Sequence, residues 1–175
     1  MIKKNGFTIF EILIVIGIMT LLSAIMVSYY NNYSENEKLQ NESQKFISVL
    51  SLAQKKAQAA ELAEEDVCKN NQYIGYQVVI NSESEYVLQR NCMGQSTEEQ
   101  EIKSYSLPNG MKILSEISQV TTILYKKLSQ GVLINGESVT RTITIENTSI
   151  NKCFDITINK AGVITKTLRN DCIGQ

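Results

Sequence analysis

The chain has 175 residues, of which 43% are hydrophobic, and its 17 basic and 18 acidic side chains give a formal net charge of −1. This length accommodates one globular domain with an appendage, and the apolar content excludes a disordered chain. With no histidine, no glycine-rich phosphate loop and no Gly-x-Ser-x-Gly turn, the sequence lacks the usual parts of metal and nucleophilic catalysis, so we expect no enzyme, no catalytic residue, no cofactor and no metal site.

The first predicted element is an apolar run over residues 7–30 whose one formal charge is Glu11. At about 1.5 Å per residue, such a run is long enough to cross a hydrocarbon core of about 30 Å. The stub before it, residues 1–6, carries Lys3 and Lys4, which favour the cytoplasmic side of a membrane. The run therefore predicts a single-pass helix in the cytoplasmic (inner) membrane, with its N-terminus in the cytoplasm and the remaining chain outside.

A cleaved secretory signal is the alternative interpretation of this run, because Leu22-Ser23-Ala24 is an acceptable cleavage site. Glu11 argues against it, since a carboxylate weakens the apolar region that a signal peptide needs. An ionisable group within an apolar segment instead indicates a functional partner.

The apolar run continues into a predicted amphipathic helix. Neither proline nor glycine interrupts the stretch between Gly17 and Gly75. Small and apolar residues recur there every three or four positions, at Leu39, Ser43, Phe46, Leu50, Ala53, Ala57 and Ala60. This spacing places them on one helix face. We predict one helix from about residue 7 to about residue 65, membrane-spanning as far as residue 30 and amphipathic over 31–66, with its stripe packed against a head domain.

Residues 67–175 form the predicted β-rich head. Two alternating runs, 73–80 and 85–90, flank a four-residue loop and predict a hairpin. Further strands are predicted at 112–116, 120–125, 139–145, 154–158 and 163–168. The predicted fold class is therefore α+β, with one long N-terminal helix packed on the apolar face of an antiparallel sheet.

Four cysteines lie outside the apolar run: Cys68, Cys92, Cys153 and Cys172. An even number of cysteines in an exported segment favours disulfides, and the closest two are nineteen positions apart, which does not fit a zinc site. Three pairings are open from the sequence alone. We favour Cys68–Cys92 and Cys153–Cys172, because each pair brackets a hairpin-like stretch. Buried thiols are the alternative.

The first residues form a motif in which a short basic leader ends in glycine and an apolar helix follows, Gly6-Phe7-Thr8-Ile9-Phe10-Glu11. This motif resembles the class III leader of type IV prepilins and type II secretion pseudopilins. The resemblance implies that a prepilin peptidase cuts between Gly6 and Phe7 and N-methylates Phe7. It also implies that the chain assembles through its N-terminal helix with other pilin or pseudopilin subunits, first in the inner membrane and then in a periplasmic or extracellular filament.

The same resemblance assigns a role to Glu11. In that family the glutamate at this position compensates the N-terminal charge of a neighbouring subunit when the helices stack in the filament core. Such a pair replaces two separately buried charges, so Glu11 is expected to favour docking in the correct register. Thr8 belongs to the same assembly motif. A charge tolerated near a membrane interface is the alternative.

Beyond the leader, the chain looks like the H-type pseudopilins and FimT-type minor pilins, which have a long helix followed by a β-rich head. The similar segments are helix residues 46–57, the tyrosine-rich strand YIGYQVVI and the closing strand-Gly-strand segment ITINKAGVITK. Major pilins usually carry a helix proline near the position of Ser28, and this chain does not. The residues do not separate a minor pilin, a pseudopilin and a major pilin, nor the secretion, motility or competence machine concerned.

Some FimT-type minor pilins take part in DNA uptake, which makes nucleic acid a further candidate partner. Removal of the leader leaves 15 basic against 18 acidic residues, and the resulting net charge of −3 disfavours a general affinity for DNA. The candidate DNA site is a local basic cluster in the last hairpin, Lys152, Lys160, Lys166 and Arg169. An ordinary solvated strand face is the alternative.

Overall fold

A computed structural model describes the chain over residues 8–59, 68, 73–92, 101–115 and 120–172, without the side chains of 24–28 and 101. This part of the chain consists of one long helix followed by two antiparallel sheets, with a short 3-10 helix at Lys127–Ser129. The arrangement is α+β, with the helix first and the strands after it, as the sequence predicts.

Helix α1 extends over Ile9–Gln58, 50 residues without a break. It contains no proline, and Lys55 and Lys56 in its last turn interact favourably with the negative end of the helix dipole. The helix is capped at Ala59, whose N–H bonds to the carbonyl oxygen of Lys55 at 2.9 Å. The helix therefore ends before the predicted position near residue 65, and residues 60–67 lie outside the described part.

Nine strands follow in the part of the chain that the structure describes. In chain order they are β1 (Tyr73–Ser82), β2 (Glu85–Cys92), β3 (Glu101–Ser106), β4 (Met111–Ser115), β5 (Thr121–Lys126), β6 (Val132–Ile134), β7 (Arg141–Asn147), β8 (Lys152–Ile158) and β9 (Ile164–Arg169). They form a five-stranded sheet in the order β3-β2-β1-β5-β6 and a four-stranded sheet in the order β4-β7-β8-β9. All their pairings are antiparallel.

The seven strands that the sequence predicts are all confirmed, but two further strands are not predicted. The sequence misses β3, which is mostly polar, and β6, which has three residues, because neither forms a run of strand-forming residues. It also predicts one sheet where there are two. The β1–β2 loop has two residues rather than four, because Ser82 still pairs with Glu85.

The core lies between α1 and the inner faces of both sheets. The buried helix residues confirm the predicted stripe and are Leu39, Ser43, Phe46, Val49, Leu50, Ala53 and Ala57. Among the strand residues that pack against them are Tyr76, Val78, Tyr86, Ile143, Ile145 and Ile156. The ring of Phe46 meets that of Tyr86 edge to face, with centroids 4.9 Å apart. The amphipathic half of the helix is thus the central element of the head.

The predicted transmembrane half of the helix is not found. Within the described residues, no helix combines the length and the apolar character that a membrane crossing requires. This finding contradicts the predicted location, a single pass through the inner membrane with a cytoplasmic N-terminus. The described residues form an α+β fold, and no transmembrane helix is found among them.

Two disulfides join Cys68 to Cys92 and Cys153 to Cys172, which confirms the favoured pairing. Their Cα atoms are 5.7 and 5.8 Å apart, respectively. The first bond ties a residue between α1 and β1 to the end of β2, and the second ties the residues after β9 to the start of β8. Each closes a loop in the unfolded chain, which typically stabilises a fold by about 2–4 kcal/mol.

Candidate functional site

The N-terminal half of α1 is the candidate functional surface, because its apolar side chains are exposed. Leu13 is 63% exposed and Phe10 69% exposed, whereas Leu50 in the same helix is fully buried. The exposed residues, here called the apolar segment (9–22), include Ile9, Phe10, Ile12, Leu13, Ile14, Val15, Ile16, Ile18, Met19, Leu21 and Leu22. Monomeric proteins rarely expose so large a contiguous apolar surface, so the segment indicates an interaction site.

A capping box starts this helix. The hydroxyl of Thr8 accepts a hydrogen bond from the N–H of Glu11 at 3.3 Å, and Oε2 of Glu11 accepts one from the N–H of Thr8 at 2.9 Å. The hydroxyl of Thr8 also donates to the same Oε2 at 2.9 Å. Two N–H groups that have no partner inside the helix are thereby satisfied. The two residues that the resemblance assigns to assembly are therefore in contact within one chain.

The capping box favours the ionised form of the Glu11 carboxylate. The hydrogen bond from the Thr8 backbone, and then the one from its hydroxyl, lowers the pKa of Glu11. The positive end of the helix dipole favours the same charged form. Glu11 is exposed and both bonds from Thr8 go to Oε2, which leaves Oε1 to accept a bond from another molecule.

The predicted processing site lies outside the described residues. Gly6 and Phe7 both precede Thr8, the first residue that the structure describes. Cleavage between them and N-methylation of Phe7 therefore stay predictions.

The head holds α1 at Glu35, where the exposed half of the helix meets the packed half. Asn147, fully buried at the end of β7, donates through its side-chain amide to the carbonyl oxygen of Glu35 at 3.3 Å and to Oε2 at 2.9 Å. Oε1 of Glu35 pairs with Nζ of Lys38 at 2.6 Å. The bonds from Lys38 and then from Asn147 lower the pKa of Glu35. Sequence reasoning misses Asn147, because an asparagine at a strand end is typical of a turn.

Two of the predicted DNA-binding residues have partners within the chain. Nζ of Lys166 lies 3.8 Å from the ring centroid of Phe154 and 3.5 Å from the carbonyl oxygen of Gln40 in α1. Its partial burial lowers the pKa of Lys166. Nη1 of Arg169 lies 3.4 Å from Oδ2 of Asp155. The charge of Lys166 therefore points towards the helix, and the charge of Arg169 is partly neutralised by Asp155.

The other two residues of that predicted cluster lie at opposite ends of β8. Lys152 is its first residue and Lys160 comes after its last, so roughly 25 Å of extended chain separates them. The structure therefore does not bring Lys152, Lys160, Lys166 and Arg169 together on one basic surface. Binding of DNA at this hairpin stays a prediction.

Within the described residues, no group of three or more His, Cys, Asp or Glu side chains could hold a metal ion. Comparison of the chain with protein-family models, with curated proteins and with solved structures finds no match. The argument for a function therefore starts from the apolar segment and the carboxylate at its beginning.

Proposed function

We propose that the chain is a structural subunit, a minor pilin or pseudopilin, of a filament of the type IV pilus or type II secretion class. A prepilin peptidase trims it between Gly6 and Phe7 and N-methylates Phe7. The observation that carries this proposal is the exposed apolar segment, 9–22, with the accessible carboxylate of Glu11 near its start. Further subunits cover this segment in the filament.

The energy of burial supports an assembly role. Burying one Val, Leu, Ile, Phe or Met side chain contributes about 1.5–3 kcal/mol relative to leaving it exposed. The apolar segment presents many such side chains in succession, enough to offset the several kcal/mol that association costs in lost translational and rotational freedom. Gly17 has nothing within 4 Å of the position of a Cβ atom, so another helix can approach closely there.

Glu11 sets the register of the packed helices. A carboxylate that is covered without a partner costs several kcal/mol, so it favours the arrangement in which a cation reaches it. The N-methylated α-amino group of Phe7 in a neighbouring subunit supplies that cation. Oε2 of Glu11 stays in the capping box with Thr8, and Oε1 accepts the bond from the neighbour.

A pair of variants separates the charge of Glu11 from its capping role. Glu11→Gln keeps an oxygen that accepts from Thr8 but removes the charge, and we expect its amount in sheared filament fractions to fall at least about tenfold. Thr8→Val removes the hydroxyl but keeps the charge of Glu11. Its cost is about 1 kcal/mol at the helix start, so we expect a smaller loss of incorporation.

Two results would contradict the proposal. One is equal incorporation of Glu11→Gln and the unmodified chain at equal expression. The other is an N-terminal sequence of the mature protein that starts after Ala24 instead of at methylated Phe7, which would indicate a secreted protein cut as an ordinary signal.

A further inference from the structure

A polar groove lies where the helix meets the head. It is formed by Asn32 and Asn36 of α1 and by residues 148–152, which make the β7–β8 turn and the first position of β8. It is open to solvent and has a volume of about 500 Å³. The groove is not used by the filament role proposed above.

Hydrogen bonds to residues outside the groove fix the β7–β8 turn, which forms one wall of the groove. Oδ1 of Asn147 accepts from the N–H of Ser149 at 3.0 Å, while the amide group of Asn147 donates to Glu35. Thr148 donates to the carbonyl oxygen of Gly110 from its N–H at 2.9 Å and from its hydroxyl at 3.0 Å. A wall that is ordered before a ligand arrives lowers the entropy cost of binding.

The side chains that face the groove keep their hydrogen-bonding capacity. Asn32, Asn36, Ser149 and Asn151 make no side-chain hydrogen bond to the rest of the described chain. Each asparagine offers two donors and an acceptor, and the serine hydroxyl both donates and accepts. Such a mixed set of closely spaced donors and acceptors matches the hydroxyl and acetamido groups of a sugar.

Two exposed tyrosines continue the groove along the helix. At about 100° per residue, Tyr29 and Tyr33 share the helix face of Asn32 and Asn36. Tyr29 is 76% exposed and Tyr33 is 56% exposed. A tyrosine ring offers a flat apolar face with a polar tip, the kind of surface on which the C–H face of a sugar ring stacks.

The charge of the groove narrows the class of ligand. Among the residues that line it, Lys152 is the one charged residue, and none is a carboxylate. A single cation is too few to bind a polyanion such as DNA. A polycation is also excluded as the ligand, because the groove has no carboxylate to pair with it. Ile150, packed partly against the core, offers an apolar contact for a methyl group.

We propose that this groove, together with Tyr29 and Tyr33, binds a short, neutral oligosaccharide that carries N-acetyl groups. The acetamido groups exchange hydrogen bonds with the asparagine side chains, and their methyl groups contact Ile150. The site goes beyond the filament role and does not depend on it, because every residue in it belongs to a single chain.

Calorimetric titration of the full chain with chitotriose, the trimer of N-acetylglucosamine, tests this proposal, with the apolar segment kept in solution by a polyoxyethylene detergent that contains no sugar. We expect saturable binding, and about tenfold weaker binding of maltotriose, because it lacks the acetamido groups. Asn32→Ala should raise the Kd for chitotriose about tenfold through the lost hydrogen bonds. Asn31→Ala, at an exposed position about 100° around the helix from Asn32 and outside the groove lining, should leave the Kd unchanged.

Four outcomes would overturn the proposal. Failure of chitotriose to saturate, or a Kd for maltotriose equal to that for chitotriose, would do so, and so would equal Kd values for Asn32→Ala and Asn31→Ala. The fourth is a loss of filament incorporation by Asn32→Ala with unchanged sugar binding, since that would make the groove a contact between subunits. Glu11→Gln should bind chitotriose as the unmodified chain does, so failure of the filament proposal would be recognised separately.

Discussion

The two halves of α1 have similar backbones and opposite surroundings. Leu13, in the exposed half, has 63% of its surface accessible, whereas Leu50, in the half packed on the head, has none. Both lie in one uninterrupted helix, Ile9–Gln58. The packed half is stabilised by contacts that the single chain supplies, and the exposed half has apolar side chains for which the described chain supplies no cover.

This difference shows what each half of the helix contributes. Isolated helices gain little stability in water, and most helix stability in proteins comes from packing of an apolar face. The packed half meets this condition through the stripe from Leu39 to Ala57. The exposed half meets it only when another molecule covers it, so folding of the head and assembly should respond to mutations in different halves.

The largest expected effect comes from truncating a leucine in each half. Leu50→Ala should lower the free energy of unfolding of the head by about 2–5 kcal/mol, because it leaves a cavity between α1 and the sheets. Leu13→Ala should change the same quantity by less than about 0.5 kcal/mol, since Leu13 is exposed. Urea unfolding followed by near-ultraviolet circular dichroism, to which the eight tyrosines contribute, measures both.

Leu13→Ala should affect filament assembly more than it affects the stability of the head. This variant should fold like the unmodified chain and still be incorporated less, because it removes apolar area from the assembly surface. A large loss of head stability in Leu13→Ala would contradict the comparison, since it would show that the apolar segment already packs within the single chain.

Patterns of local spacing in the sequence account for most of the fold. The step of three and four from Leu39 to Ala57 predicts the packed face of the helix, and alternation predicts seven strands. The disulfide pairs follow from hairpins that each pair brackets. These features depend on residues close together in the chain, which is why the sequence reveals them.

The features that the sequence does not reveal arise from distant contacts. The bond from Asn147 to Glu35 joins residues 112 positions apart, and neither residue belongs to a motif. The groove beside it likewise combines one helix turn with one strand turn. Membrane crossing is a different case: the sequence predicts it from the apolar run over residues 7–30, and within the described residues no helix has the length and apolar character that it requires.

An intermediate effect is expected at the junction between the two halves. Asn147→Ala removes two hydrogen bonds to Glu35 and one from the N–H of Ser149, and leaves these partly buried groups without the buried amide of Asn147. We expect a loss of about 1–3 kcal/mol in the free energy of unfolding and faster amide exchange near Glu35. Asn41→Ala, at an exposed position of the same helix, is the matched control and should cost less than about 0.5 kcal/mol.

If both variants were equally stable, the contact between Asn147 and Glu35 would be incidental. The exposed half of the helix would then be positioned by the core stripe alone. Faster exchange confined to residues near Glu35, with little change in global unfolding, would support a local anchor.

The smallest expected effect is a pH dependence that separates Glu35 from Glu11. Hydrogen bonds lower the pKa of both, from Lys38 and then Asn147 at Glu35 and from Thr8 at Glu11. A lowered pKa in the folded state contributes stability that is present above the ordinary glutamate value of about 4.3 and is lost as the pH falls through the folded value.

Within the described residues Glu35 contacts the head, whereas Glu11 contacts its own helix end. Of these two groups, only Glu35 should therefore contribute to the pH dependence of head unfolding. The unmodified chain should exceed Glu35→Gln in stability by on the order of 0.5 kcal/mol at about pH 6 and lose this advantage at about pH 3. Glu11→Gln should show no such convergence with pH, because its cap can fray without disturbing the core. If Glu11→Gln converged in the same way, the two halves of the helix would unfold as one unit, and the exposed half would be coupled to the head through the helix backbone.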